Sequence, residues 1–545
     1  MKSPGRLELA QEQVDDLVER VKTNRLTAED RERVVDFIRA LVWMSHSLEE
    51  KKLSLERLRK IFGFQTEKSS HILDAIEREI EKDPGEPAKA VDGGEADGKR
   101  AAGHGRFGAA EYRTAKKVDY PHKTVKAGMY CPDCRRGKLC SLEPGKLLRI
   151  AAMPPLEATL HRPERLRCAT CGLVYTAEVP EEIGTEKYDA SACAMVSTLR
   201  YGYGMPMNRL AHFQKSLGVP LGVGTQWELI ERSANAGRPA FERLKDCAAQ
   251  GELFHNDDTT MKILSVMKEQ KQAKENGEDP ERTGMFTTGI VAVASGRRIL
   301  LFFSGRNHAG ENLDELLSRR DNAQGVALQM CDALSRNEPS ENKTVVANCL
   351  THGRRAFYDV YSAFPEQVKF VIGLLKDVYR HDAIAKKEGM SADERLRFHQ
   401  EKSAPLMDEL KEWMEDQLVG KKVEPNSSLG KAIQYMRSRW EKLTLFLRAP
   451  GVPLTNDDCE RLLKTAIRHR NNSLFYKTES GAEAGDILMS LIQTAIQAGV
   501  NPFLYLTALQ KHQMAVAENP DRWFPWNYEE TLKSLGAAKL EGPAP

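Results

Sequence analysis

Residues 253–264 read LFHNDDTTMKIL. Two adjacent acids, Asp257 and Asp258, sit inside a run otherwise made of apolar and strand-favouring residues, where a solvated surface is a poor explanation for them. The stretch reads as the first strand of a sheet. Residues 287–294, 299–303 and 326–330 continue the pattern, each short, rich in branched or aromatic side chains and bounded by Gly, Asn or Arg. The expected order is three antiparallel strands, a helix over 311–319, then a fourth strand lying beside the first. Residues 343–349 supply a fifth strand and 353–362 open a further helix.

Working outward, residues 365–448 carry helical spacing throughout, with a capping box at Ser391/Glu394 and an amphipathic run over 428–447. An all-α insertion (363–452) therefore splits the sheet domain into 251–362 and 453–500. A C-terminal tail, 501–545, holds Trp523, Phe524, Trp526 and Tyr528. On the other side, 185–250 is helical, and 208–231 resembles a helix-turn-helix around Gly218-Val219-Pro220; two core helices joined by a Gly/Pro turn fit the same residues. Residues 117–180 form a cysteine-bearing domain. Before it, 83–116 is a linker, with seven glycines between 83 and 108. Residues 1–82 form a helical module or oligomerisation segment, with Val34, Ile38, Leu41, Leu48, Leu55, Leu58 and Phe62 at helical intervals. The fold class is multidomain α+β: a mixed sheet with an all-α insertion, preceded by a zinc ribbon and helical N-terminal regions.

Two CxxC pairs, Cys131/Cys134 and Cys168/Cys171, are separated by thirty-three residues. Brought together by hairpins they close a tetrahedral thiolate site, and four thiolates leave no open position, so the zinc would be structural. The competing reading is two unrelated reduced pairs. The other cysteines show no disulfide-like spacing, and the chain has neither a secretory signal nor an apolar run of about 20 residues, so a cytoplasmic protein without a membrane span is expected. Net charge is only +2, yet residues 111–175 carry thirteen Lys/Arg against six Asp/Glu. That block can contact phosphate, or be a solvated basic surface.

Hard divalent cations need carboxylates converging from separate elements. Asp257 on the first strand, Asp332 just past the fourth and Glu460 in the first turn of a helix after the insertion would meet at one sheet edge, and Asp258 competes for the role of Asp257. Two Mg²⁺ (or Mn²⁺) ions held by these acids would support phosphodiester cleavage and strand transfer. Arg461, Lys464 and Arg468 share the face of the Glu460 helix opposite Leu462, Leu463, Ala466 and Ile467 and would hold a DNA strand. His352, Arg354 and Arg355, just after the fifth strand, would position phosphate.

From about Leu58 to Tyr528 the chain resembles the insertion-sequence 66 transposases. RKIFGFQTEKS from Arg59 is similar to the family's short basic segment after its helical region, and the CxxC pairs are similar to its zinc-binding domain. HNDDTTMKIL from His255 resembles the HADET-type segment of the first acid, CLTHGRRAF from Cys349 a CxxHxRRxF pattern, and NDDCERLL from Asn456 an NNxxERxxR segment. GVNPFLYLTAL from Gly499 and WFPWNY from Trp523 resemble the C-terminal motifs. Departures are Asp258 in place of Glu, Ala333-Leu334 in place of Gly-Tyr, and Asn471 and Ser473 where Lys and Trp are common; none removes a presumed metal ligand. The resemblance implies an RNase H-like DDE domain with Asp257, Asp332 and Glu460 as its acids. It further implies a bacterial, nucleoid-associated enzyme that binds terminal inverted repeats, joins element ends to target DNA, works as a homo-oligomer on paired ends and is encoded beside accessory proteins. Two rivals are a decayed or repurposed transposase that only binds DNA and a metal-dependent nuclease that cuts without joining.

Overall fold

The computed structural model describes residues 186–277 and 282–536 continuously, stretches at 126–130, 155–167 and 174–178, and single residues at 20, 27, 30, 132, 138 and 180. The chain divides into two compact units, Met1–Gly93 and Gly94–Pro545. The N-terminal helical module, all but three of its residues, and the whole linker lie outside the described residues, as do the four cysteines of the CxxC pairs. Around those pairs, Tyr130 bridges Lys138, and β1 (Arg165–Arg167) pairs antiparallel with β2 (Val174–Thr176).

Three helices follow: α1 (Ala190–Ser197), α2 (Met207–Ser216) and α3 (Val223–Ala249). The central sheet then begins with β3 (Leu253–Thr260). The sequence pattern ran this strand on to Leu264, but Met261–Ile263 leaves the sheet and Leu264 opens a helix, α4 (Leu264–Glu275). Its partner explains the departure: Ile263 bridges Tyr476, and Leu264 N–H donates to Tyr476 O at 3.0 Å. β4 (Phe286–Ala294) and β5 (Arg297–Gly305) form a hairpin turned by Ser295-Gly296, both at positive φ, the primed turn that matches strand twist.

After α5 (Ala309–Leu317) come β6 (Leu328–Cys331) and β7 (Val345–Asn348). The order is β5-β4-β3-β6-β7, with β3, β4 and β5 antiparallel and β6 and β7 parallel to β3. The first and fourth strands of the sheet are thus neighbours, as the pattern anticipates.

α6 (Leu350–Tyr358) leaves β7, and the helical region continues as α7 (Pro365–Lys387), α8 (Ala392–Lys402), α9 (Ala404–Val419) and α10 (Ser428–Ser438). The capping box at Ser391/Glu394 is present. The 428–447 run is not one helix: it breaks at Arg439, and the short α11 (Trp440–Leu443) turns to pack on β7.

The chain returns to the sheet with α12 (Asp457–Ser473) and α13 (Glu479–Gln497), then α14 (Pro502–Lys511), α15 (Gln513–Glu518) and α16 (Tyr528–Ser534). Trp523, Phe524 and Tyr528 of the tail are buried in the same hydrophobic core as α1, α3, the sheet and α13. No helix among the described residues is long and apolar enough to cross a membrane.

β5 is an edge strand, and its outward N–H groups need partners. α13 supplies them from one polar stripe: Leu300 N donates to Thr494 Oγ1 (3.1 Å), Phe302 N to Ser490 Oγ (2.9 Å) and Ser304 N to Asp486 (2.6 Å). Four residues of helix rise about 6 Å and two residues of strand about 6.8 Å, so positions i, i+4 and i+8 keep pace with alternate strand residues.

Candidate active site

Asp257 lies on β3, where its register partner on β4 is Gly289. A Cβ at Gly289 would meet Leu463 of α12 at 3.1 Å, and the Gly289 carbonyl accepts from Cys459 Sγ at 3.2 Å. The missing side chain therefore lets the first turns of α12, which carry Glu460, settle onto the sheet. Asn456, fully buried, fixes the approach: its Nδ2 donates to Asn256 O (3.2 Å), its Oδ1 faces His255 Nδ1 (3.2 Å), and its N–H donates to Cys349 Sγ (3.3 Å). At the other end of the helix, Arg470 donates to Thr259 Oγ1 (2.9 Å) and Thr260 O (2.6 Å).

Asp332 immediately follows β6, the parallel neighbour of β3. The two aspartates meet at Asn337: its Nδ2 donates to Asp257 Oδ1 at 3.3 Å and also to Asp332 Oδ1. Asn337 is itself fully buried, and its carbonyl accepts from Asn256 Nδ2 (2.8 Å) and Gln329 Nε2 (2.7 Å), while its Oδ1 has no hydrogen-bond partner. The amide thus leaves its own oxygen unpaired to keep its N–H groups between the acids.

The loop is held from α5. A Cβ on Gly310 would collide with Glu338 O, and Asp314 accepts from the N–H groups of Ser340, Glu341 and Asn342 at 2.7–2.9 Å. Burial would raise the Asp314 carboxyl, but these bonds win and hold it at about 2.

Burial, then the charge of Asp332, pushes Asp257 up to about 6, against the hydrogen bonds it accepts from Asp258 N–H and Asn337. Asp258, the competitor for this role, has its carboxylate taken up by His308 Nδ1 (2.9 Å) and Arg336 (3.3 Å), with its side chain only 2% exposed.

Glu460 keeps different company. One ligand atom from each of Cys349, His352 and Glu460 lies within 4.8 Å of the others, and this is the only such group of three among the described residues. The three proposed acids therefore do not form one equally tight knot: Asp257 and Asp332 share Asn337, and Glu460 stands beside His352. The Cys349 sulfur first, with the charges of Glu460 and Asp332, outweighs burial and raises His352 to about 9, making it a cation at neutral pH.

On α12, Arg461, Lys464 and Arg468 are exposed and Leu462, Leu463 and Ala466 are buried, the two faces read from the sequence. Arg461 pairs with Asp458. On α6, Arg355 is exposed and Arg354 lies over the Tyr379 ring at 5.3 Å.

Residues 186–484 match the sequence model of the Transposase IS66 family, more than half of the chain. The chain belongs to that family. Among its curated relatives are three uncharacterized proteins of Sinorhizobium fredii. The protein y4hP is 23% identical over 84% of each chain, y4jD is 25% identical over 62% of this chain and 65% of its own, and y4qI is 30% identical over 36% of each. In this transposase the residues missed by sequence reasoning are the amides Asn337 and Asn456. Asn456 opens the quoted NDDCERLL segment, so its position carried a signal; Asn337 ends a single 3₁₀ turn (Ser335–Asn337) between β6 and β7 that carries none.

Proposed function

We propose that this transposase acts through Asp257, Asp332 and Glu460 as a DDE triad on an RNase H-like sheet, binding terminal inverted repeats and carrying out metal-dependent DNA cleavage and strand transfer. The observation that supports this most is the convergence of Asp257 and Asp332, from adjacent parallel strands, on the single amide of Asn337. The strand order agrees with an RNase H-like fold. The donor set fits a hard divalent cation: two oxygen ligands held close enough for mutual repulsion, with one carboxyl raised by burial and then by its neighbour. Asp257, Asp332 and Glu460 would hold Mg²⁺ or Mn²⁺, which when bound stabilises charge on phosphodiester oxygens and activates a water or 3′-hydroxyl.

The chain's own residues prepare that site. Asn337 sets the spacing of the aspartates, Asn456 fixes the helix of Glu460, and cationic His352 offsets the acidic edge. Arg355, Arg461, Lys464 and Arg468, all exposed, would hold backbone phosphates together with the half-buried Arg354. The enzyme would act in the bacterial cytoplasm as a homo-oligomer on paired ends, with accessory proteins of its element.

The test is a gel of cleavage and joined products on labelled element-end DNA with Mg²⁺. Asp257→Asn, Asp332→Asn and Glu460→Gln should each abolish joining and leave DNA binding intact; wild-type joining by any one removes that residue from the triad. Cys131, Cys134, Cys168 and Cys171 would hold a structural zinc. Cys131→Ser with Cys168→Ser should lower bound zinc and weaken DNA binding, and unchanged metal content rejects the assignment.

A further inference from the structure

A cleft of about 580 Å³ opens between the helical insertion and the loop that follows Asp332. That volume falls in the range of sites that hold one small ligand, and is far too small for a duplex groove. Its floor is continuous with the acidic edge: Ala333 lines it next to Asp332, and Asn348, at the end of β7, lines it while donating to Asp332 O at 3.4 Å. Its far wall is the insertion, where α11 turns onto β7 and presents the half-buried Trp440. The break at Arg439 has a visible consequence here. Had α10 run on as one helix, Trp440 would not be delivered by a separate turn against the sheet.

Charge decides what kind of ligand the cleft accepts. Lys411, Arg437, Arg439 and Lys442 line it with Glu338, Glu415 and Glu441. Two of the three acids are already neutralised, Glu338 by Lys442 at 2.5 Å and Glu441 by Arg448 at 3.0 Å from outside the lining. Lys411, Arg437 and Arg439 have no carboxylate partner among the described residues, against Glu415 alone. Arg439 lies over the Tyr435 ring at 4.4 Å and bonds the Tyr435 carbonyl, so it is held in place as a fixed cation. The lining thus combines an indole with a surplus of positive charge, one step from the proposed catalytic acids.

We propose that this cleft takes one unpaired nucleotide of the DNA strand being processed, with its base stacked on Trp440 and its phosphate facing Arg437 and Lys411. The inference rests on the DNA-processing reading above and deepens it by naming where the strand leaves the acidic edge. Stacking on an aromatic ring tolerates any base, and backbone cations read no sequence, so the subsite would be indifferent to base identity.

The experiment compares the full-length protein on two fluorescein-labelled element-end duplexes, one blunt and one with a three-nucleotide single-stranded extension, without divalent metal. Wild type should bind the extended duplex about 5- to 150-fold more tightly, the span of one stacked base. Trp440→Ala should reduce that preference to within about twofold while binding the blunt duplex as wild type does, and Trp440→Phe should retain most of it. Arg437 is exposed, so Arg437→Glu can lose the preference without a folding defect, which guards against misreading Trp440→Ala. Equal preference in wild type, Trp440→Ala and Arg437→Glu overturns the subsite and leaves the triad reading intact. Failure of wild type to bind either duplex overturns both.

Discussion

Asp257, half-buried on β3, and Asp486, buried on α13 where that helix covers β5, are both held above the usual carboxylate range, at about 6 and about 7. Their surroundings differ in kind. Asp486 is raised by burial, with a smaller push from the charge of Glu483, and countered by Ser304, whose N–H and hydroxyl both donate to it at 2.6 and 2.8 Å. It completes the stripe that closes the β5 edge. Asp257 is raised by burial and then by the like charge of Asp332, and the two share one amide N–H₂ group. One carboxylate ends a set of hydrogen bonds; the other is half of a repelling pair that a cation would relieve. A raised aspartate therefore marks chemistry when the second acid shares its hydrogen-bond donor, as Asp332 shares Asn337 with Asp257, and not merely because another acid adds to its rise.

The widest separation between the two regions should be kinetic. Asp257→Asn or Asp332→Asn should lower strand transfer by more than about 100-fold, because partners one shell out from metal ligands already cost about 10- to 100-fold. Asp486→Asn, assayed in parallel, should leave the rate within about twofold. A comparable loss at Asp486 would dissolve the distinction.

Asn337→Ala sharpens it from the other side. The variant removes the amide between the acids without touching either, so it should cost about 10- to 100-fold in activity and raise the Mg²⁺ concentration needed for half-maximal rate. Unchanged metal dependence would make Asn337 a prop for its loop alone.

At the structural edge the corresponding change should act on stability. Ser490→Ala leaves the buried N–H of Phe302 without an acceptor, which costs about 1–3 kcal/mol in thermal or denaturant unfolding, with strand transfer per folded molecule unchanged. Full stability in this variant would mean that water reaches the β5 edge.

The two regions were not equally legible in the sequence. Asp257 and Asp258 stood out because acids interrupt an apolar strand pattern, and Glu460 because a helix with one basic and one apolar face surrounds it. The choice between Asp257 and Asp258 required tertiary partners, since His308 and Arg336 come from distant segments. The same holds for the end of β3: Met261–Ile263 keeps a strand-like composition, yet Ile263 pairs with Tyr476, more than two hundred residues on. The β5 edge was invisible. Asp486, Ser490 and Thr494 stand four residues apart on α13, and only the edge strand beside them shows why that stripe is buried. Asn337 could not be found at all, because a single amide in one short 3₁₀ turn makes no pattern.

The smallest effect, and the one with a distinctive sign, concerns the charge of Asp486. Its folded-state pKa of about 7 lies above the unfolded value near 3.9, so the folded protein holds the proton more tightly. Stability from this group is fully present below about pH 4, declines as pH rises through about 7, and stays low above that. Asp486→Asn removes the charge and keeps an acceptor for Ser304 N–H, so it should be neutral or slightly destabilising at pH 5. At pH 8 it should be stabilising, by roughly 1–2 kcal/mol after the loss of charge-assisted bonds. Melting temperatures of wild type and variant measured from pH 5 to pH 8 should converge at the acidic end and separate toward the basic end. A constant offset across that range would mean that Asp486 stays ionised in the folded protein, with the Ser304 bonds outweighing burial, and the contrast with Asp257 would then rest on the like-charge pair alone.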